Sequence, residues 1–169
     1  MATRYIIEIT ATVRIISKKT KYCLRALYHL SRDYGHGPTL VSTLAQQEEI
    51  PKKFLEQILL SLKMSGIVES KPGRGGGYNL SRPPEEITLG AVIRTIEGPL
   101  APLPCASETA YRPCEECVEA SVCGTRLIMR RVRDATAKIL DETTLRDVCN
   151  LSDAARSDLA DRLHEDSIL

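Results

Sequence analysis

The sequence predicts a mainly α fold with one small β-hairpin wing, a winged helix-turn-helix followed by a long dimerisation helix. Three observations carry this. Three helical patterns precede two short strand patterns joined by a glycine-rich tip, the third helix has a clean apolar stripe, and a later run repeats apolar residues at steps of 4, 3 and 4. The 169 residues, 43% hydrophobic, suffice for one globular domain with a small appendage and exclude a wholly disordered chain. No stretch approaches the roughly 18 unbroken apolar residues of a membrane span. Glu8 cuts the Ile6-Ile7 pair before any secretory apolar core can form, so a cytoplasmic protein with no membrane partner is expected.

Residues 1–13 alternate, with Tyr5, Ile7 and Ile9 on one side, and are set apart as an N-terminal extension that is a short strand or an unstructured lead-in. From Ser17, a capping residue, Cys23, Ala26, Leu27 and Leu30 share a stripe up to the Tyr34-Gly35-His36-Gly37-Pro38 break. A short helix over Val41–Gln47 ends at Glu48-Glu49-Ile50. Pro51 then opens a third helix with Leu55, Ile58, Leu59 and Leu62 on one face, closed by Gly66 as a left-handed cap. Residues 67–71 and 78–80 read as strands around Pro72-Gly73-Arg74-Gly75-Gly76-Gly77. After Pro83-Pro84 a helix over Leu89–Glu97 turns Val92, Ile93 and Ile96 inward, and Gly98-Pro99 marks a boundary. Residues 14–98 are thus expected to form the winged-helix DNA-binding domain and 99–124 a cysteine-rich sensor loop. Residues 125–148 form the dimerisation helix region, and 149–169 a polar tail that is weakly helical at best.

A cut after Pro83 leaves 13 basic and 6 acidic residues before it, a surplus of +7, and 10 basic and 16 acidic after it, a deficit of −6. Such asymmetry suits a polyanion-binding front end. With the apolar stripe of the third helix buried, Lys53, Glu56, Gln57 and Leu60 lie opposite it. Gln can pair with adenine edges and Glu can accept from cytosine, while Lys52, Lys53 and Lys63 can meet phosphates. The same residues also suit a merely solvated helix face. At the wing, the bare backbone of Gly75 and Gly76 lets Arg74 approach a phosphate or a narrow groove. A nucleotide cradle fits poorly, because the run lacks a Gly-Lys-Ser/Thr ending and lies between strands.

Six cysteines in a chain expected to stay reduced point to metal ligands, redox groups or core fillers. Cys105, Cys114, Cys117 and Cys123 fall within 19 residues, whereas Cys23 reads as a buried small hydrophobe and Cys149 as a surface thiol. Converging thiolates bind iron or zinc. Structural zinc usually takes two close pairs, and only Cys114 and Cys117 are so spaced; as redox thiols that pair would be disfavoured by Glu115 and Glu116. No Ser, His and Asp set or paired carboxylate suggests an enzyme. Three readings stand at this point: a DNA-binding regulator with a metal-centre sensor, the same scaffold without one, and a small redox or electron-transfer protein.

The run Ser17-Lys18-Lys19-Thr20-Lys21-Tyr22 with Leu24-Arg25-Ala26-Leu27, the Phe54-Leu55-Glu56-Gln57-Ile58-Leu59 helix, the Gly66-Ile67-Val68 turn and the Gly75-Gly76-Gly77-Tyr78 wing resemble the winged-helix transcription regulators of the IscR/NsrR/CymR type, the Rrf2 family. The resemblance covers about residues 14–148. It implies a homodimeric repressor or activator that binds a double-stranded DNA operator, with Glu56 and Gln57 reading bases and Arg74 in the wing. Pro72 stands where the family's usual wing arginine would be. It further implies an iron–sulfur cluster, [2Fe–2S] or [4Fe–4S], on Cys105, Cys117 and Cys123, with Cys114 additional. The histidine that serves some relatives as fourth ligand has no counterpart, since the histidines here are His29, His36 and His164, so Cys114 or a ligand lent by the other subunit is considered. Cluster-free members sense through a partner enzyme or thiol oxidation. Ile128, Val132, Ala135 and Ile139 form the expected dimer stripe. Family members usually begin near Val13-Arg14, which makes Val13 a candidate initiator.

Overall fold

A computed structural model of the chain describes residues 16–114, 117 and 119–166. The alternating segment over residues 1–13 lies outside the described residues. In chain order the elements are α1 (Lys18–Arg32), α2 (Val41–Gln47), α3 (Lys52–Met64), β1 (Val68–Lys71), β2 (Gly77–Leu80), α4 (Leu89–Glu97), α5 (Gly124–Glu142) and α6 (Leu145–Asp166). Single 3-10 turns stand at Pro84–Glu86 and Pro104–Ala106.

The head forms as its caps and stripes dictate. Ser17 Oγ accepts the Thr20 amide at 3.2 Å and starts α1. α3 ends in a Schellman motif, with Gly66 at φ +70°, its amide donating to Lys63 O and the Ile67 amide to Leu62 O. The stripe Leu55, Ile58, Leu59 and Leu62 is fully buried against Leu27, Leu30 and Leu44, together with Cys23. Each such side chain contributes about 2 kcal/mol of transfer free energy. Ser17 N donates to Glu97 Oε1 at 2.9 Å, and the Thr20 hydroxyl donates to the same oxygen, so the start of α1 is fastened to the end of α4. Desolvation would raise the Glu97 carboxyl, but these bonds and Lys19 hold it below the usual carboxylate range.

β1 and β2 pair antiparallel from Val68↔Leu80 to Lys71↔Gly77. The hairpin gains a third partner that the sequence does not advertise: Thr39 and Tyr78 exchange both backbone bonds at 2.9 Å, which ties the wing to the lead-in of α2. Gly77, at φ +151°, makes that approach feasible, because a Cβ there would sit 2.2 Å from Thr39 O.

Three expectations are corrected. The helix predicted over 125–148 stops at Glu142, and residues 143–145 run antiparallel beside 87–89, with Leu89 N donating to Thr143 O at 2.8 Å and Leu145 N to Ile87 O at 2.9 Å. The polar tail is the helix α6. Its start is a reciprocal box, in which Asp147 Oδ2 accepts the Thr144 amide at 2.9 Å and Thr144 Oγ1 accepts the Asp147 amide at 3.1 Å. α6 lies on α1, where Arg32 Nη2 meets Asp153 Oδ1 at 2.8 Å. Cys149, expected at the surface, is buried against Tyr28, and burial pushes its thiol above the usual range. α6 escapes periodicity because few of its apolar residues, chiefly Leu145 and Cys149, reach the core, while Leu151 and Leu159 face outward.

α4 and α5 approach closely at Gly90, where a Cβ would lie 1.8 Å from Asp141 Oδ1. Arg94 grips that carboxylate with two donors, at 2.5 and 2.8 Å, and holds it below the usual carboxylate range.

Because Leu145 is completely buried, Leu145→Ala is expected to cost about 2–5 kcal/mol in urea unfolding, whereas Leu151→Ala should stay within about 0.5 kcal/mol. Equal effects would mean that α6 does not enter the core at its start.

Candidate nucleic-acid interface and cysteine loop

The face of α3 opposite its buried stripe carries Lys52, Lys53, Glu56, Gln57 and Lys63, all exposed. Lys52 Nζ stands 3.9 Å from Glu56 Oε1 one turn on, a solvent-exposed i,i+4 pair. Lys63 Nζ donates to Ser70 Oγ at 2.6 Å, which joins the end of α3 to β1. Leu60 and Met64 extend the same exposed face as an apolar edge. Nothing in the sequence marks Met64, since methionine at a helix end reads as core filler. Apolar side chains on such a face suit thymine methyl groups.

Arg74 and Gly75 are exposed at the wing tip, while Gly76 is buried. The Gly76 amide donates to Gly73 O at 3.0 Å, and a Cβ there would lie 2.1 Å from Lys71 O, so its lack of a side chain serves the turn itself. Arg82, which by sequence is one more cation near the wing, is engaged with the backbone: Nη1 donates to Gly66 O at 3.1 Å and Nε to Glu86 O at 3.2 Å.

The cysteine loop leads from α4 to α5. Cys123 is the residue that caps α5, and the backbone N–H of Arg126 is the foremost influence lowering its thiol below the usual range, with Cys117 and Thr125 adding to it. Cys117 moves the other way, raised by desolvation and then by the neighbouring Cys123, with Cys114 contributing. Cys117 therefore lies within electrostatic reach of both Cys114 and Cys123. Cys105 is half-buried in the Pro104–Ala106 turn, and its carbonyl accepts from Arg126 Nε at 2.9 Å. Cys114 is exposed. Among the described residues no three His, Cys, Asp or Glu side chains stand where they would together hold a metal ion.

On α5 the predicted dimer stripe faces solvent in the single chain: Ile128 is 47% exposed, Val132 42% and Ile139 65%, and Ala135 is exposed beside them. An apolar groove of about 660 Å³ adjoins the stripe, lined by Ile93, Pro99, Leu100, Val132 and Leu140 among others. No described helix is long and apolar enough to cross a membrane.

Residues 16–151 match the model of the Rrf2 family, described as an iron-dependent transcriptional regulator. An Rrf2-like HTH-type transcriptional regulator of Rhodobacter capsulatus is 37% identical over 151 residues, covering 87% of this chain and all of that protein. The structure of CymR, the global cysteine regulator of Bacillus subtilis, superposes with a TM-score of 0.66 at 34% identity, covering 80% of this chain and 96% of that one. T. potens IscR superposes with a TM-score of 0.63 at 28% identity, over 82% of this chain and 87% of that one.

Binding to duplex DNA should weaken steeply with salt. In Arg74→Ala the slope of log K against log salt should fall by about 0.9 for each phosphate that the arginine no longer neutralises, and an unchanged slope would place the wing tip off the backbone.

Proposed function

This chain belongs to the Rrf2 family of DNA-binding transcriptional regulators, and on that premise we propose that it acts as a homodimer that senses iron or redox state through an iron–sulfur cluster on the cysteine loop. The observation that carries the reading is the gathering of Cys117 and Cys123 at the start of α5, with the Cys105 carbonyl tied to Arg126 on that same first turn. Soft thiolates are the ligands iron–sulfur clusters take, and the donor set fits. Cys105, Cys117 and Cys123 would hold the cluster, and Cys114, or a ligand lent by the other subunit, would complete it. When bound, the cluster supplies a labile, redox-active centre whose charge and integrity follow cellular chemistry. The iron dependence named for the matched family supports the metal. In operator binding, α3 would offer Gln57 and Glu56 to base edges and Lys52, Lys53 and Lys63 to phosphates, with Arg74 and the exposed Gly75 backbone at the wing, while the buried Gly76, expected to meet DNA, shapes the turn instead.

A cluster-free reading has its own support, the mutual influence of Cys117 and Cys123. With peroxide as oxidant, their two thiols would become one disulfide while the peroxide is reduced to two waters. Zinc bound by the same cysteines, or a partner enzyme, would serve the same scaffold.

Anaerobic absorption with iron and sulfide analysis divides these readings. Cys105→Ser, Cys117→Ser and Cys123→Ser are each expected to abolish cluster absorbance, and Cys114→Ser only if it is the fourth ligand. Colourless, iron-free protein from anaerobic purification that still responds to peroxide would favour the dithiol.

The exposed stripe of α5 and its adjoining apolar groove support a second copy of this chain as their occupant, since a monomer would leave them uncovered. Val132→Asp is expected to give a monomer in sedimentation with tight operator binding lost, because two half-sites are no longer tethered. A dimeric Val132→Asp protein would move the interface elsewhere.

A further inference from the structure

We propose that Arg126 and Arg133 are positioning residues that latch the cysteine loop onto α5, so that rearrangement of the loop is transmitted to that helix. The inference rests on the reading of the loop as the sensor. α5 is inside-out in the single chain: Leu127, Ile128, Val132 and Ile139 are exposed, while the buried residue among its 19 is a cation, Arg133, at 7% exposure. A guanidinium leaves water only where its donors are met. Here Nη1 donates to Ala106 O at 2.6 Å, Nη2 stands 3.0 Å from Glu108 Oε1, and Nε donates to Asp134 Oδ1 at 2.8 Å. Two of these three partners belong to the loop.

Arg126 lies seven residues earlier, on the same face and about 10 Å along the axis. Its Nε donates to Cys105 O at 2.9 Å and its Nη1 to Ala120 O at 3.3 Å, and the guanidinium lies 5.7 Å from the centre of the Tyr111 ring. One side chain therefore joins the two ends of the loop, the peptide of a candidate ligand and a residue just before Cys123. Arg133 fastens the next peptide, Ala106. A planar fork with several donors holds separate partners in fixed directions, as Arg126 does with Cys105 O and Ala120 O, whereas a lysine presents a flexible point charge. The latched backbone is that of Cys105 and its neighbour, so a rearrangement that moves this backbone must strain or release bonds to α5.

The test uses full-length protein as wild type, Arg126→Gln, Arg133→Met and Arg133→Lys. On reduced, metal-free protein, alkylation of Cys105 by iodoacetamide, followed by mass spectrometry, is expected to speed up several-fold in Arg126→Gln and Arg133→Met, with Arg133→Lys restoring little. On metal-loaded and metal-free protein, operator affinity should stay near wild type without metal, while the ratio between the two states collapses toward unity in both variants. Far-UV circular dichroism checks folding, and Arg126→Gln keeps the test open if Arg133→Met does not fold. Wild-type alkylation rates in both variants, or an undiminished affinity ratio, would overturn the latch. If the wild-type protein takes up no metal, the metal-centre form of the sensor reading fails by itself, and the alkylation rates still decide the latch.

Discussion

Two backbone hydrogen bonds, from Leu89 to Thr143 and from Leu145 to Ile87, set the frame on which the rest of this chain is arranged. They end α5, start α6 and drop Leu145 into the core in the space of three residues. They also bring α4 alongside α5, where Gly90 leaves room for the Asp141 carboxylate and Arg94 grips it. The DNA-facing head and the long helix are therefore not beads on a flexible string. They share a short antiparallel seam whose donors and acceptors are met within the seam, as shielded backbone requires.

The long helix in turn reverses the usual distribution of polarity. An apolar stripe in water costs free energy until something covers it, and a cation out of water costs free energy until its donors are met. In α5 the second requirement is fulfilled within the chain by the Ala106 carbonyl and the Glu108 and Asp134 carboxylates, and the first is unmet in the single chain. The cysteine loop and the exposed apolar stripe thus occupy different faces of one helix, so a rotation of that helix would alter both together.

Much of the head was legible from the residues. Ser17, Pro51 and Gly66 are local signals whose physics needs no tertiary context, and the Leu55, Ile58, Leu59, Leu62 stripe is long enough to show its period. α6 was not legible, because a helix that touches the core through few residues has too weak an apolar stripe to be read against its charges. The break at Thr143 was hidden for a similar reason: Thr143-Thr144 is no breaker by propensity, and only its pairing with residues 87–89 ends α5 there. At the site, the cysteines announced themselves by spacing, whereas Arg126 and Arg133 looked like members of a solvated basic face. Nothing local distinguishes them from Arg130 and Arg131, since burial by a distant loop is a property of the fold.

The wing of this protein is fastened on three sides, to the α2 lead-in through Thr39 and Tyr78, to α3 through Lys63 and Ser70, and to the Gly66 turn through Arg82. The close passage of Gly77 against Thr39 removes the slack a hinge would need. A reading head fastened this way would act as a mould to which a duplex conforms. Bending or narrowing a site of this size costs about 1–6 kcal/mol, an amount that depends on the stacking steps being deformed. Selection among operators then extends to base pairs that no side chain of this protein reaches.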